Sequence, residues 1–180
     1  MTSTEPSTER SNKISTEPST ASAPTAAPPL GPRVIALAHY ASRALLENVL
    51  ARHGATFQQS VALRLVAVAE GLLERDRLVE GVVGSLKIDA GDVHRVIDEL
   101  IGAGLLAPQE PSRVRITDAG RELYETTSAE TAPLTARIYA GLPAEDLAAA
   151  GRVLSLITER ADAELAALTA TRPVPPTPIK

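Results

Sequence analysis

Residues 86–106 read LKIDAGDVHRVIDELIGAGLL, and the placement of apolar side chains within them decides the fold. Val93, Val96, Ile97, Leu100 and Ile101 recur at i, i+3, i+4, i+7 and i+8, one stripe on a 3.6-residue period. Asp89 supplies an oxygen for the exposed N–H groups at the start of this helix. Gly104 supplies the left-handed residue that ends it. Past Gly104 the period shortens. Leu105–Ala107, a turn over Pro108–Pro111, and Arg113–Thr117, where Val114 and Ile116 alternate with Arg113 and Arg115, predict a small β-hairpin. Upstream, Leu78, Val82 and Leu86 predict a helix over 77–86, separated from the amphipathic one by a tight turn.

Two helices across a tight turn, the second strongly amphipathic and followed at once by a hairpin, spell a winged helix-turn-helix. Such a unit lays its second helix in a DNA major groove. Working outward, Val34, Ala38, Ala41, Leu45 and Val49 predict a first helix over 33–52 that stops at Gly54. Thr56 is placed to cap a second helix with an inner face of Phe57, Val61, Leu65 and Val68. Thr117 caps a fifth, carrying Leu123, Thr127, Leu134 and Ile138 and expected to bend near Pro133. A sixth begins at Pro143, has Glu145 and Asp146 in its first turn to suit the helix dipole, and is expected to bury Leu147, Leu154, Ile157, Ala161 and Leu165. The fold class is therefore mainly α: a winged helix-turn-helix over 56–117 with a short β-hairpin wing, flanked by α-helical dimerisation segments at 33–55 and 118–170. These flanking helices are more apolar than one winged domain can cover, so they are expected to pack against a second copy.

Composition narrows the function. The 180 residues contain no cysteine, which excludes disulfides, thiolate metal sites and thiol redox sensing. The apolar content of 44% is aliphatic, for the aromatics are only Tyr40, Phe57, Tyr124 and Tyr139. No apolar run reaches the length of a membrane span, and the first residues are polar and acidic, so a cytoplasmic protein without membrane partners is expected. Residues 1–32 are rich in Ser, Thr, Pro and Ala and hold STEPST twice, at 3–8 and 15–20; with almost no large apolar side chains, they read as a disordered tail. Residues 171–180, with Pro173, Pro175, Pro176 and Pro178, read as an extended one. His39, His53 and His94 lack the spacing of a metal site, and no phosphate loop or nucleophile motif occurs, so neither a cofactor nor an enzymatic activity is expected.

The quoted stretch, followed by RITDAGREL at 115–123 and AGLPAEDLAAAGRVLSLI at 140–157, resembles the MarR family of bacterial winged-helix transcription regulators over about residues 33–168. The resemblance implies a homodimer that binds double-stranded DNA at a palindromic operator. It implies a repressor that lets go when a small molecule, often aromatic, binds between the dimer region and the winged domain. On the reading helix it points to Ala90, Gly91, His94 and Arg95, with Arg95 matching an arginine position that faces bases. Arg113 and Arg115 on the wing strand, with Arg75, Arg77 and Lys87, are candidates for gripping phosphate. Tyr40, Arg43, Phe57 and Tyr124 lie on helices that border the family's effector pocket.

Two features depart from the family. Its reading helices open with Ser, Arg and Thr, whereas residues 89–103 here hold four acids against one arginine, a local charge of −3. The wing turn is short and carries Glu110 at its tip, so minor-groove insertion is not expected. Residues 112–121 nonetheless sum to +2. Two functions follow: an operator-specific regulator released by a small molecule, or a winged-helix protein-interaction module that has lost most of its DNA affinity.

Overall fold

The computed structural model describes Met1 and residues 28–170. The two tails read from composition therefore lie, for residues 2–27 and 171–180, outside the described residues. The chain divides into two compact units, 1–41 and 42–180. The first contains the N-terminal half of helix α1 (Pro32–Arg52). The second contains the rest of α1 and all later elements: α2 (Phe57–Val68), β1 (Leu72–Glu74), α3 (Arg75–Leu86), α4 (Ala90–Gly102), β2 (Leu106–Gln109), β3 (Arg113–Ile116), α5 (Asp118–Tyr139) and α6 (Ala144–Ala170).

Caps fix where these helices begin. Thr56 and Gln59 form a reciprocal capping box at α2, and Asp89 accepts from the Gly91 N–H at 2.7 Å at α4. Thr117 joins three elements. Its Oγ1 accepts from the Gly120 N–H at 3.0 Å and lies within hydrogen-bond distance of the Gly104 and Leu105 carbonyls, tying the end of α4 and the base of the wing to the start of α5.

The core lies inside the winged unit. Ala62, Leu63 and Val66 of α2 meet Leu78, Val79 and Val82 of α3, Val93, Val96, Ile97 and Leu100 of α4, and Leu106, Val114 and Ile116 of the sheet. Each fully buried aliphatic side chain contributes about 1.5–3 kcal/mol relative to exposure. The stripe expected on α4 is the buried one, with Ile101 half-buried beside it.

Three expectations need correction. On α2 the buried residues are Ala62, Leu63 and Val66, and Val68 is 61% exposed. This helix is packed by α3, α4, α5 and the sheet, so it is apolar around most of its circumference and its periodicity does not pick a face. The sheet has three strands rather than two, in the order β1-β3-β2, all antiparallel, with Leu73 opposite Val114 and Leu106 opposite Ile116. β1 is three residues long, too short to show alternation. Pro108 belongs to strand β2, not to the turn; β2 is an edge strand, where a missing N–H costs no ladder bond.

Helix α6 lies outside this core. None of its residues is buried within the chain, and Leu154, Ile157 and Leu165 are 39%, 40% and 49% exposed. Its apolar stripe is present, but no described residue covers it.

Candidate nucleic-acid interface

On α4 the buried stripe turns Ala90, Gly91, His94 and Arg95 outward, and all four are exposed. The turn before it is closed by a backbone hydrogen bond. Lys87 adopts a left-handed backbone (φ 55°) as the C-cap of α3, donating its N–H to the Val83 carbonyl at 2.8 Å, and the chain reaches the Asp89 cap two residues later. A Cβ on Gly91 would lie 2.9 Å from the capping Asp89 oxygen, so the first turn of α4 is held close under its cap.

The cations of this head are almost all occupied. Arg95 Nη2 lies 2.6 Å from Asp92 Oδ1, and Arg75 Nη2 lies 2.8 Å from Asp98 Oδ1. Arg77 pairs with Glu80 at 3.4 Å, Arg113 with Glu74 at 3.7 Å, and Lys87 Nζ with Asp162 Oδ1 of α6 at 2.8 Å. Arg115, two residues from Arg113 on β3 and therefore on the same face of the strand, is exposed and forms no ion pair with any described residue.

From Asp98 onward these pairs draw one continuous strip, with Arg95 on the same helix beside it. Arg95 and Asp98 are i, i+3 neighbours on α4. Asp98 holds Arg75, the residue after Glu74, and Glu74 holds both Arg113 and the Ser112 hydroxyl, the latter at 3.0 Å. The Arg75 N–H closes the strip on the Ser112 carbonyl at 2.9 Å. Reading helix and wing strand are thus joined along one surface.

A second feature sits between the later half of α1, α2 and α5: a cavity of about 560 Å³ lined by Leu46, Leu50, Leu123, Tyr124, Thr127 and Arg64, among others. Thr127 Oγ1 lies 2.8 Å from the Leu123 carbonyl and Thr131 Oγ1 2.7 Å from the Thr127 carbonyl, so both hydroxyl protons serve their own helix. Arg64 is the one cation in the lining. Of the residues expected near an effector, Tyr124 lines this cavity. Arg43 and Phe57 do not: the guanidinium stacks 4.5 Å over the Phe57 ring and donates from Nε to Glu47 at 2.8 Å. Tyr40 belongs to the first unit and meets the His39 ring edge-on at 5.4 Å. Arg64 was missed, although a lone charge inside the apolar run VALRLVAV of residues 61–68 is the signal that marks it.

Next to Thr131 in the chain, Glu130 of α5 accepts from Arg52, the last residue of α1, and lies 2.8 Å from Nε2 of His53, which follows it. The hydrogen bond from Arg52, with that from His53, holds the Glu130 carboxyl below its ordinary value.

Neither a protein-family model nor a curated sequence matches the chain. Solved structures do. A MarR family transcriptional regulator from Streptomyces coelicolor is 22% identical, with 72% of this chain and 91% of that one covered at a TM-score of 0.58. A mutant MarR from E. coli complexed with operator DNA is 20% identical over 69% and 91% of the two chains, at a TM-score of 0.58. CouR from Rhodococcus jostii, bound to p-coumaroyl-CoA, is 17% identical over 69% and 88%, at 0.59. What is shared at these identities is the architecture: this chain has the winged-helix fold of the MarR family transcriptional regulators.

Proposed function

We propose that the chain is a homodimeric, DNA-binding transcription regulator of the MarR type, cytoplasmic, acting as a repressor that a small molecule releases from a palindromic operator. The observation that carries this reading is the run of contacts from Asp98 on the reading helix through Arg75 and Glu74 to Arg113 and Ser112, which joins the reading helix to the wing. Dimerisation draws support from α6, whose Leu154, Ile157, Leu165 and Leu168 stay exposed on a 27-residue helix. Two such helices closing on each other, with α1 and α5, account for that surface.

The effector reading draws on the α1–α2–α5 cavity, an apolar space with Tyr124 and Arg64 in its wall, suited to a flat apolar body bearing an anionic group. The similar CouR structure holds p-coumaroyl-CoA, and a similar regulator from Bordetella bronchiseptica responds to 6-hydroxynicotinic acid, both aromatic.

The alternative, a protein-interaction module with weak DNA affinity, draws on the four acids of residues 89–103 and on the pairing of five of the six candidate cations. A fluorescence anisotropy titration of the full chain against the DNA upstream of its own gene, with mixed-sequence duplex as competitor, separates the two. Tight binding that survives the competitor supports the regulator. Binding that the competitor abolishes at equal concentration supports the module.

A further inference from the structure

Four of the five ion pairs on the reading head join residues of the head itself, so they travel with it. The fifth does not. Lys87 sits on the turn immediately before the reading helix, and its partner Asp162 stands on α6, 75 positions along the chain. It is the only ion pair between α6 and the rest of the described residues. Among the described residues, few further contacts hold α6 against this turn. A cavity of about 600 Å³, lined by Val83, Ile88 and Leu165 together with the two charged residues, separates the helix from the turn, and no α6 residue is buried. Both side chains are half-exposed, at 42% and 45%, and a pair so exposed adds little stability, which makes it exchangeable.

We propose that Asp162 is an internal stand-in for phosphate: its carboxylate holds the Lys87 ammonium when the head is free, and the DNA backbone must displace it. The backbone of Lys87 is held by its left-handed cap, so its flexible side chain reaches either anion from one fixed root. A shift of α6 toward the turn strengthens the competitor, and a shift away frees the cation. The arrangement therefore couples the position of α6 to the charge that the head offers DNA, through one side chain. This inference rests on the DNA-binding reading above.

The test uses the full chain and a fluorescein-labelled mixed-sequence duplex, titrated by anisotropy from low to physiological salt. Asp162→Asn should tighten binding about two- to fivefold, the span of an exposed ion pair. The slope of log affinity against log salt should stay near that of wild type, since Lys87 meets phosphate in both chains once DNA has displaced Asp162, whereas loss of Lys87 should flatten it by up to about 2 in a dimer. Lys87→Gln should weaken binding, and Asp162→Asn added to it should then do nothing further. Glu159→Gln, which removes the same charge from α6 one turn away, should tighten binding less than Asp162→Asn does. If Asp162→Asn tightens binding equally with and without Lys87, or no more than Glu159→Gln, the carboxylate acts only as bulk charge and the proposal is overturned. A wild-type chain that binds duplex while Asp162→Asn leaves its affinity unchanged overturns the proposal but not the DNA-binding reading. A chain that binds no duplex even at low salt overturns both.

Discussion

Arg95 and Asp92 lie one helical turn apart on α4, with guanidinium nitrogen and carboxylate oxygen 2.6 Å apart, so the only arginine on the reading helix is already answered by an acid of the same helix. Both are exposed, and the pair is cheap to open. A guanidinium released from Asp92 presents the donor fork that matches a guanine edge.

Arg95→Ala is expected to cost about 1–3 kcal/mol at the operator and to relax preference at one position in each half-site. Asp92→Asn is expected to tighten binding, with a loss of about 0.3–1 kcal/mol in fold stability, because Asp92 stands in the first turn of α4 against the positive end of its dipole. Anisotropy across a set of single-base operator variants reads both effects. Equal losses for Arg95→Ala at every base pair would place this arginine on phosphate instead.

The wing arginines divide by their partners. Arg115 is unpaired among the described residues, whereas Arg113 has Glu74 at 3.7 Å. Replacing Arg115 by Ala in a dimer should flatten the salt slope by up to about 2 while leaving sequence preference intact. Arg113→Ala should flatten it less. The same slope in wild type and in Arg115→Ala contradicts this assignment.

What the sequence showed plainly was whatever a single face or a local contact determines. The α4 stripe was legible because only one side of that helix is covered, and Val114 and Ile116 were legible because strand alternation is local. The Asp89 and Thr117 caps were legible for the same reason. The face of α2 was not, since its neighbours surround it. β1 exists only because β3 lies beside it, and nothing in Leu72–Glu74 alone calls for a strand. Ion pairs such as Lys87–Asp162 and Arg52–Glu130 join residues far apart in the chain, where pattern carries no information. Nothing local to Asp162 or Glu130 singles them out before the fold brings their partners to them.

Close packing at the root of α5 makes a sharp stability test. A Cβ on Gly120 would lie 2.1 Å from the Leu105 carbonyl oxygen, a backbone atom that no rotamer change removes. Gly120→Ala is expected to destabilise the fold by about 3 kcal/mol or more. Gly102→Ala, where a Cβ meets open space on α4, is expected to stabilise by about 0.5–1 kcal/mol. Urea unfolding followed by circular dichroism compares them, and similar midpoints for the two variants would contradict the contact.

Acid stability should report on Glu130. Its folded-state value is depressed below the ordinary 4.5 by the hydrogen bonds from Arg52 and His53. A depressed carboxylate contributes stability that is present above the ordinary value and is lost as pH falls through the folded one. The stability of wild type should therefore fall more steeply below about pH 4.5 than that of Glu130→Gln. Thermal melts between pH 7 and pH 3 check this, and parallel curves would show that the Arg52–His53–Glu130 cluster contributes nothing.

We propose that this winged-helix chain reads DNA as a dimer. Hydroxyl-radical footprinting of the full chain on its own upstream region, at physiological salt, tests it most directly. Two equivalent protected half-sites related by two-fold symmetry, with centres about 10 base pairs or a multiple of that apart, are the expected result. Uniform protection along the duplex, appearing only at low salt and without a symmetric pair of sites, would contradict it.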